Sequence, residues 1–255
     1  MKKTACSLLF LAALVLAATP ALAHYPWLTL SSYDLKPGQK IKVMIGWGHR
    51  FPVEDLLKAS EISGVTIYDP QGKAIAAPAI NEFMFQGPAL SQPGVYLVTA
   101  AKKPGFYTKL AKGFSRKPKT GLQGVKSCTH SLAFLKAVVN LGQGGGEVSR
   151  VAGQALELVP LKNPAMLKVG DYLPIRVLFQ GKPVQGYPLV LATYAGFPSS
   201  LAYAHASHAG GDGVAKLRIL HPGLWLVYVN LKKHYPNPKE CDQTSYTSVL
   251  TFQID

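Results

Sequence analysis

Segments with apolar residues at alternate positions recur along the chain from residue 27 onward. Residues 40–47 (KIKVMIGW) carry an apolar side chain at every second position, which is the period of a strand that buries one face. Residues 27–33, 64–68 and 95–100 follow the same pattern more loosely. Residues 69–72 (DPQG) supply a turn, because proline fixes φ and glycine accepts positive φ. The pattern predicts short strands joined by turns.

The pattern restarts after the glycine-rich residues 142–146 (GQGGG), which form a natural linker. Further strand-like segments follow at residues 155–160, 173–180, 187–194, 214–219, 224–230 and 245–254. Strands at this spacing are typical of an Ig-like sandwich. We therefore predict an all-β fold with two Ig-like β-sandwich domains, at residues 24–145 and 154–255. Residues 131–139 (SLAFLKAVV) fit either a helix or a buried strand.

The first 23 residues have the features of a cleaved export signal. Lys2 and Lys3 precede an apolar run over residues 8–18, and residues 21–23 (ALA) place small side chains at a cleavage site. We expect residues 1–23 to be a signal peptide, with an uncleaved anchor as the alternative. Cleavage after residue 23 would place a soluble protein in the periplasm with His24 at its N-terminus.

The composition is that of a folded and strongly basic protein. Of 255 residues, 48% are hydrophobic and 16% charged, and the formal net charge is +14, which excludes a disordered chain. Residues 83–146 contain nine lysines and arginines, all of them between 102 and 136, and no acidic residue. Such a segment favours anionic lipid, an acidic membrane partner or an anionic substrate, unless it is only a solvated loop. Nucleic acid is not expected as a partner, because the chain has no recognition motif and carries an export signal.

Two cysteines remain after removal of the leader, which contains Cys6. Cys128 and Cys241 are expected to form a disulfide, since the periplasm is oxidising. The alternative is a pair of thiolate metal ligands, although neither cysteine belongs to a CxxC motif.

Several motifs together resemble the DUF4198 family, whose members are often described as periplasmic components of nickel or cobalt uptake systems. The resemblance rests on residues 24–27 (HYPW), 46–52 (GWGHRFP), 165–171 (AMLKVGD), 174–178 (PIRVL), 181–184 (GKPV), 222–227 (PGLWLV) and 246–254. It implies two β-sandwich domains, a metal-binding role and a pairing of His24 with His49. Family members often carry a histidine near the position of Asn230. This chain has asparagine there, and its nearest histidine is His234, so the resemblance does not supply a third imidazole.

A histidine at a free N-terminus is a chelating group by itself. Its α-amino nitrogen and its imidazole can bind one ion, and metal displaces the amino proton near neutral pH. His49 would add a second imidazole. Such nitrogen-rich sites suit nickel and copper and also accept cobalt or zinc. The alternative is that His24 is simply the first residue of a frayed terminus.

Other residues are weaker candidates for the site. Glu54 and Asp55 could add an oxygen ligand or orient the His49 imidazole, or could cap a helix over residues 54–59. His205, His208, His234 and His130 are further candidate ligands, with solvated loops or structural contacts as their alternatives.

No enzyme motif is present: the chain lacks GxSxG, HExxH and a phosphate-binding glycine loop. We therefore predict a non-enzymatic periplasmic protein that binds nickel or cobalt, free or chelated, and hands it to a membrane uptake transporter. The alternatives are a copper enzyme with a histidine brace, and a metal-independent β-sandwich that binds carbohydrate or another surface.

Overall fold

The computed structural model of the chain describes residues 24–198 and 202–255. The predicted signal peptide, residues 1–23, lies outside them. The described part of the first half contains β1 (Tyr25–Leu30), β2 (Asp34–Leu35), β3 (Lys40–Gly48), β4 (Asp55–Leu56), β5 (Ile62–Tyr68), β6 (Ala74–Ala76), β7 (Met84–Ala89), β8 (Gly94–Leu110), β9 (Phe114–Ser115) and β10 (Val125–Leu141).

The second half continues with strands. The described residues also contain two short 3-10 helices, Ala59–Glu61 in the first half and Pro164–Met166 in the second. Its strands are β11 (Leu156–Pro160), β12 (Tyr172–Phe179), β13 (Lys182–Pro183), β14 (Leu189–Tyr194), β15 (His205–His208), β16 (Val214–Arg218), β17 (Gly223–His234) and β18 (Gln243–Ile254). The all-β prediction is confirmed, and residues 131–139 belong to the buried strand β10 rather than to a helix.

The sheets form three groups. A ten-stranded sheet has the order β15-β14-β17-β18-β10-β8-β5-β6, with β2 and β9 at its margins. One outer sheet contains β1, β3, β4 and β7, and the other contains β11, β12, β13 and β16. The first outer sheet belongs to the first half of the chain and the second to the second half.

The ten-stranded sheet supplies one face to each of two hydrophobic cores. On β8, Tyr96 and Val98 belong to the core that includes β1 and β3, while Val95 and Leu97 belong to the core that includes β11 and β12. This alternation follows from the period-two geometry of a strand. Each core is thus a sandwich of one outer sheet on the shared sheet.

The shared sheet differs from the expected pair of separate domains. β10 and β18 pair in parallel from Thr129 opposite Gln243 to Ala137 opposite Thr251, so hydrogen bonds cross directly between the two halves. Both strands carry apolar residues on both faces, which is typical of parallel strands in the interior of a sheet. The halves have separate cores but one continuous backbone ladder.

Cys128 and Cys241 form a disulfide across 113 residues, with their Cα atoms 4.9 Å apart. The bond links β10 to the segment before β18, and both cysteines are fully buried. It therefore links the two halves covalently, next to the parallel pairing of β10 with β18.

Removing this disulfide by replacing both cysteines with alanine is expected to lower the free energy of unfolding by about 2–4 kcal/mol, because the unfolded chain gains a long unconstrained loop. Urea unfolding of the variant and the parent would measure the difference. The parent's unreduced mass should be two protons lower than its reduced mass, and two alkylatable thiols in the folded protein would contradict the pairing.

Candidate metal centre

His24 and His49 meet at one end of the first outer sheet. β1 and β3 are antiparallel, with Tyr25 opposite Gly48. One further step along the same register places His24 beside His49, and their ring centroids lie 4.1 Å apart. The His24 ring also stacks on Trp47 at 5.7 Å with an interplanar angle of 14°. Two histidines 25 positions apart in sequence are therefore neighbours because of strand pairing.

The segment that carries His49 is held in place by Trp27. Gly46 lies opposite Trp27 in the ladder, and a Cβ on Gly46 would lie 2.1 Å from the indole nitrogen. The missing side chain lets the indole cross the backbone, where its N–H donates to the carbonyl of Pro52 at 3.1 Å. Phe51 packs edge-on against the same indole. The GWGHRFP motif is thus the end of β3 and the turn after it, with the Trp27 indole holding the turn.

Glu54 closes the turn from the other side. Its Oε2 accepts the backbone N–H groups of His49 at 2.5 Å and Arg50 at 2.7 Å. A Cβ on Gly48 would lie 2.1 Å from that oxygen, and Gly48 has a positive φ of 146°. These two N–H donors hold the pKa of the Glu54 carboxyl below its ordinary value. The carboxylate is therefore charged and close to both imidazoles at neutral pH.

One potential ligand atom each from His24, His49 and Glu54 lies within 4.8 Å of the other two. Among the described residues, this is the one group of three or more histidine, cysteine or carboxylate side chains that could hold a metal ion. Two imidazole nitrogens and a carboxylate oxygen suit borderline divalent ions such as nickel, cobalt, copper and zinc. Both backbone N–H groups donate to Oε2 of Glu54, so its Oε1 takes part in neither hydrogen bond.

Asp55 does not join this cluster. It lies on the exposed β4, opposite Trp47 in the ladder. The prediction of a helix over residues 54–59 is wrong, because that segment contains β4 and only Ala59–Glu61 is helical. Glu54 consequently binds the N–H groups of the turn before it rather than capping a helix.

The His205–His208 pair was predicted on a loop and lies on the edge strand β15. Residues three apart on a strand point to opposite faces, so the two imidazoles do not converge. His205 contacts the carbonyl of Lys216 at 3.2 Å, and His208 contacts that of Tyr187 at 2.8 Å. Their ring nitrogens have structural partners.

His130 and His234 lie away from the cluster. The His130 ring packs 4.7 Å from Phe106, and burial lowers the pKa of its imidazole. The neighbouring Cys128 sulfur belongs to the disulfide, so no thiolate is available for a Cys-x-His pair. His234 is exposed at the end of β17, opposite Gln243.

A cavity of about 310 Å³ adjoins the cluster on the side of the second half of the chain. It is lined by Tyr25, His49, Arg50, Phe51, Thr193, Tyr194, Phe197, Pro198, Ala202 and Tyr203. A larger cleft of about 660 Å³ lies over Lys162–Tyr172, and no histidine lines it. Sequence reasoning missed the cavity because its walls come from segments far apart in the chain.

Tyrosine hydroxyls beside the cavity are hydrogen-bond donors rather than charged ligands. Burial raises the pKa of Tyr25 and of Tyr203, and it raises that of Tyr228 to about 12. Tyr25 and Tyr203 also share a hydrogen bond. All three side chains are therefore protonated at neutral pH, so Tyr25 and Tyr203, which line the cavity, add no negative charge to it.

The sequence matches one family model, described as Domain of unknown function (DUF4198), over residues 21–233. No curated protein matches the chain. Among the described residues, no helix combines the length and the apolar character needed to cross a membrane.

Three solved structures with some likeness to the chain are distant from it in sequence and in fold. Murine CEACAM1b is 8% identical, with coverage of 91% of this chain and 100% of that chain and a TM-score of 0.23. The D0-D1 domain of Intimin is 10% identical, with the same coverage and TM-score. A DUF4785 family protein from Legionella pneumophila is 10% identical, with coverage of 83% and 52% and a TM-score of 0.25. Scores this low carry no argument about the function of this chain.

Proposed function

We propose that this chain, which belongs to the DUF4198 family, binds one divalent transition-metal ion in the periplasm and hands it to a nickel or cobalt uptake system. The proximity of His24, His49 and Glu54 is the observation that supports it. The protein acts by binding and delivery, without catalysis.

Cleavage after residue 23 completes the donor set. It gives His24 a free α-amino group, which closes a chelate ring with its own imidazole. The amino nitrogen, two imidazoles and the Glu54 carboxylate then form a set of three nitrogens and one oxygen. Nickel and cobalt accept such a mixture, and copper and zinc compete for it, so selectivity depends on geometry and supply.

The charges around the cluster favour a metal that arrives with an anionic chelator. Arg50 lines the adjoining cavity, and the Lys102 ammonium lies 5.8 Å from the centre of the Trp47 ring. These cations repel a bare divalent ion but attract an anionic complex. The net charge acts in the same direction; it is +14 for the full sequence, of which Lys2 and Lys3 in the leader contribute two. The cavity of about 310 Å³ has room for small carboxylate co-ligands.

Extra residues placed before His24 test the α-amino group directly. They convert that nitrogen to an amide while the His24 imidazole remains, so we expect nickel affinity to fall on the order of 10-fold or more through loss of one ligand bond. Calorimetric titration of the extended protein and of the protein that begins at His24 measures the change. A protein whose N-terminal residue is confirmed as His24 by mass spectrometry is the required reference.

Unchanged nickel and copper binding in the extended protein would show that the α-amino group is not a ligand. Oxygen consumption that depends on both copper and a reductant would instead favour the copper histidine-brace enzyme, since that chemistry needs the same His24 and His49 nitrogens. A protein that fails to bind any of the four metals would contradict both functions.

A further inference from the structure

The ten-stranded sheet extends into an arm that has its own surface chemistry. β8 and β10 are each 17 residues long, and their outer parts, with β9 between them, form a ribbon over residues 103–130. We call this ribbon the arm. It contains Lys103, Lys109, Lys112, Arg116, Lys117, Lys119 and Lys126, and no acidic residue.

One face of the arm is covered by the chain itself. Thr108 and Cys128 are opposite each other in the ladder and fully buried, and the disulfide ties this face to the segment before β18. Lys119 donates its backbone N–H to the carbonyl of Glu240 at 2.9 Å, and its side chain pairs with Asp242. The arm is therefore clamped to the body of the protein.

The opposite face is exposed and combines aromatic with basic side chains. Lys109 is opposite Phe114 in the ladder between β8 and β9, and Tyr107 lies two residues before Lys109, so all three share a face. The Tyr107 and Phe114 rings stack at 5.1 Å, although they are 52% and 54% exposed. Arg116 is exposed directly after the end of β9, two positions beyond Phe114. We call these four residues the arm face.

We propose that the arm face docks on an anionic lipid surface. Clustered lysines and arginines bind anionic head groups, and exposed aromatic rings, tyrosine in particular, are favoured at the boundary between head groups and acyl chains. The face lies on a strand ribbon, with its two aromatic rings exposed beside the basic side chains. Every charged residue of the arm is positive, and the acidic Asp242 beside it is paired with Lys119. Docking would hold the protein at the membrane independently of any bound metal.

Co-sedimentation with lipid vesicles tests the proposal. The purified exported protein, with its disulfide formed, is expected to bind vesicles of mixed phosphatidylglycerol and phosphatidylcholine, and to dissociate as salt is added. It should not bind vesicles of phosphatidylcholine alone, which also controls for adhesion through a retained leader.

Charge reversal on the arm should reduce this binding strongly. The double variant Lys109→Glu with Arg116→Glu is expected to bind at least about 25-fold more weakly, since each lysine or arginine near an anionic surface contributes about fivefold. Lys182→Glu with Lys216→Glu is the matched control, because both residues are exposed on the second outer sheet and the net charge changes equally. That control should bind nearly as well as the parent.

The aromatic pair can be tested without altering charge. Tyr107→Ser with Phe114→Ser should reduce binding severalfold at constant net charge, while thermal unfolding reports that the variant is folded. Lack of binding to anionic vesicles at low salt would overturn the proposal, and a protein would then be the partner to test for this face. An equal loss in the Lys182/Lys216 control would also overturn it, because the attraction would then come from net charge alone.

Discussion

Replacing His49 with alanine is expected to lower nickel affinity on the order of 100-fold or more, since loss of an outer-shell partner alone can cost 10- to 100-fold. The imidazole of His49 lies 4.1 Å, centroid to centroid, from that of His24, so it is the second nitrogen side chain that one ion could reach. Calorimetric titration with nickel, in buffer without chelators, measures the loss.

His234→Ala is the matched control for this experiment. It removes the same side chain from an exposed position at the end of β17, outside the cluster, and should leave the affinity unchanged. Equal losses in the two variants would indicate nonspecific binding to surface histidines. An unchanged affinity in His49→Ala would place the site elsewhere.

Glu54→Gln should produce a loss that is smaller than that of His49→Ala. A glutamine carbonyl can still accept the N–H groups of His49 and Arg50, which Glu54 now accepts, so the turn is preserved while the negative charge is removed. A variant with Gly48→Ala should be more damaging to the turn, because the added Cβ would occupy the position of the Glu54 carboxylate.

Glu157→Gln is expected to lower the free energy of unfolding by about 3–5 kcal/mol, because it leaves a buried ammonium without its counter-charge. Lys136 and Glu157 pair at 2.5 Å, with their side chains 0% and 1% exposed. The Glu157 carboxylate also accepts the backbone N–H groups of Ala152, Gly153 and Gln154. The pair thus fixes the connection between the two halves onto β10.

Lys136→Met should cost less than Glu157→Gln. The carboxylate that remains in Lys136→Met keeps three backbone donors. The ammonium that remains in Glu157→Gln has only neutral acceptors, the carbonyl of Arg150 at 3.4 Å and the amide oxygen of the new side chain. Burial lowers the pKa of Lys136 against the pull of Glu157, and loss of that pull favours the neutral amine. Urea unfolding of each variant gives the two free energies.

An exposed ion pair provides the control for these measurements. Lys58 and Glu82 pair at 2.6 Å with both side chains 56% exposed, and Glu82→Gln should leave the free energy of unfolding nearly unchanged, because solvent screens the pair. Equal effects of Glu82→Gln and Glu157→Gln would contradict the role assigned to burial.

The sequence determined the features that depend on neighbouring residues. The alternation in residues 40–47 predicted a strand, and β3 covers Lys40–Gly48. Turn residues predicted the break between β5 and β6. The position of His24 after a leader indicated a chelating N-terminus through its chemistry, and the family resemblance paired it with His49. Periodicity and side-chain chemistry are local properties, so they are readable without a fold.

Residues 131–139 show where local information ends. Their apolar run fits a helix or a buried strand equally well, and the parallel pairing with Ser245–Thr251 that decides the matter lies more than 100 positions away. Lys136 lies within the basic segment of residues 102–136, yet it is 1% exposed and paired with Glu157. Only the packing of β11 against β10 distinguishes it from the solvated lysines of the arm.

The candidate site divides in the same way. The two histidines were predicted from their motifs. The role of Glu54 depends on the turn whose N–H groups it binds, and the sequence was also compatible with Glu54 as a helix cap. The cavity joins Tyr25 and Arg50 to Tyr203, and the clamped face of the arm joins β10 to the segment before β18. Such contacts depend on strand order and register in three dimensions, because they are set by the burial of several segments at once, and no single segment encodes them.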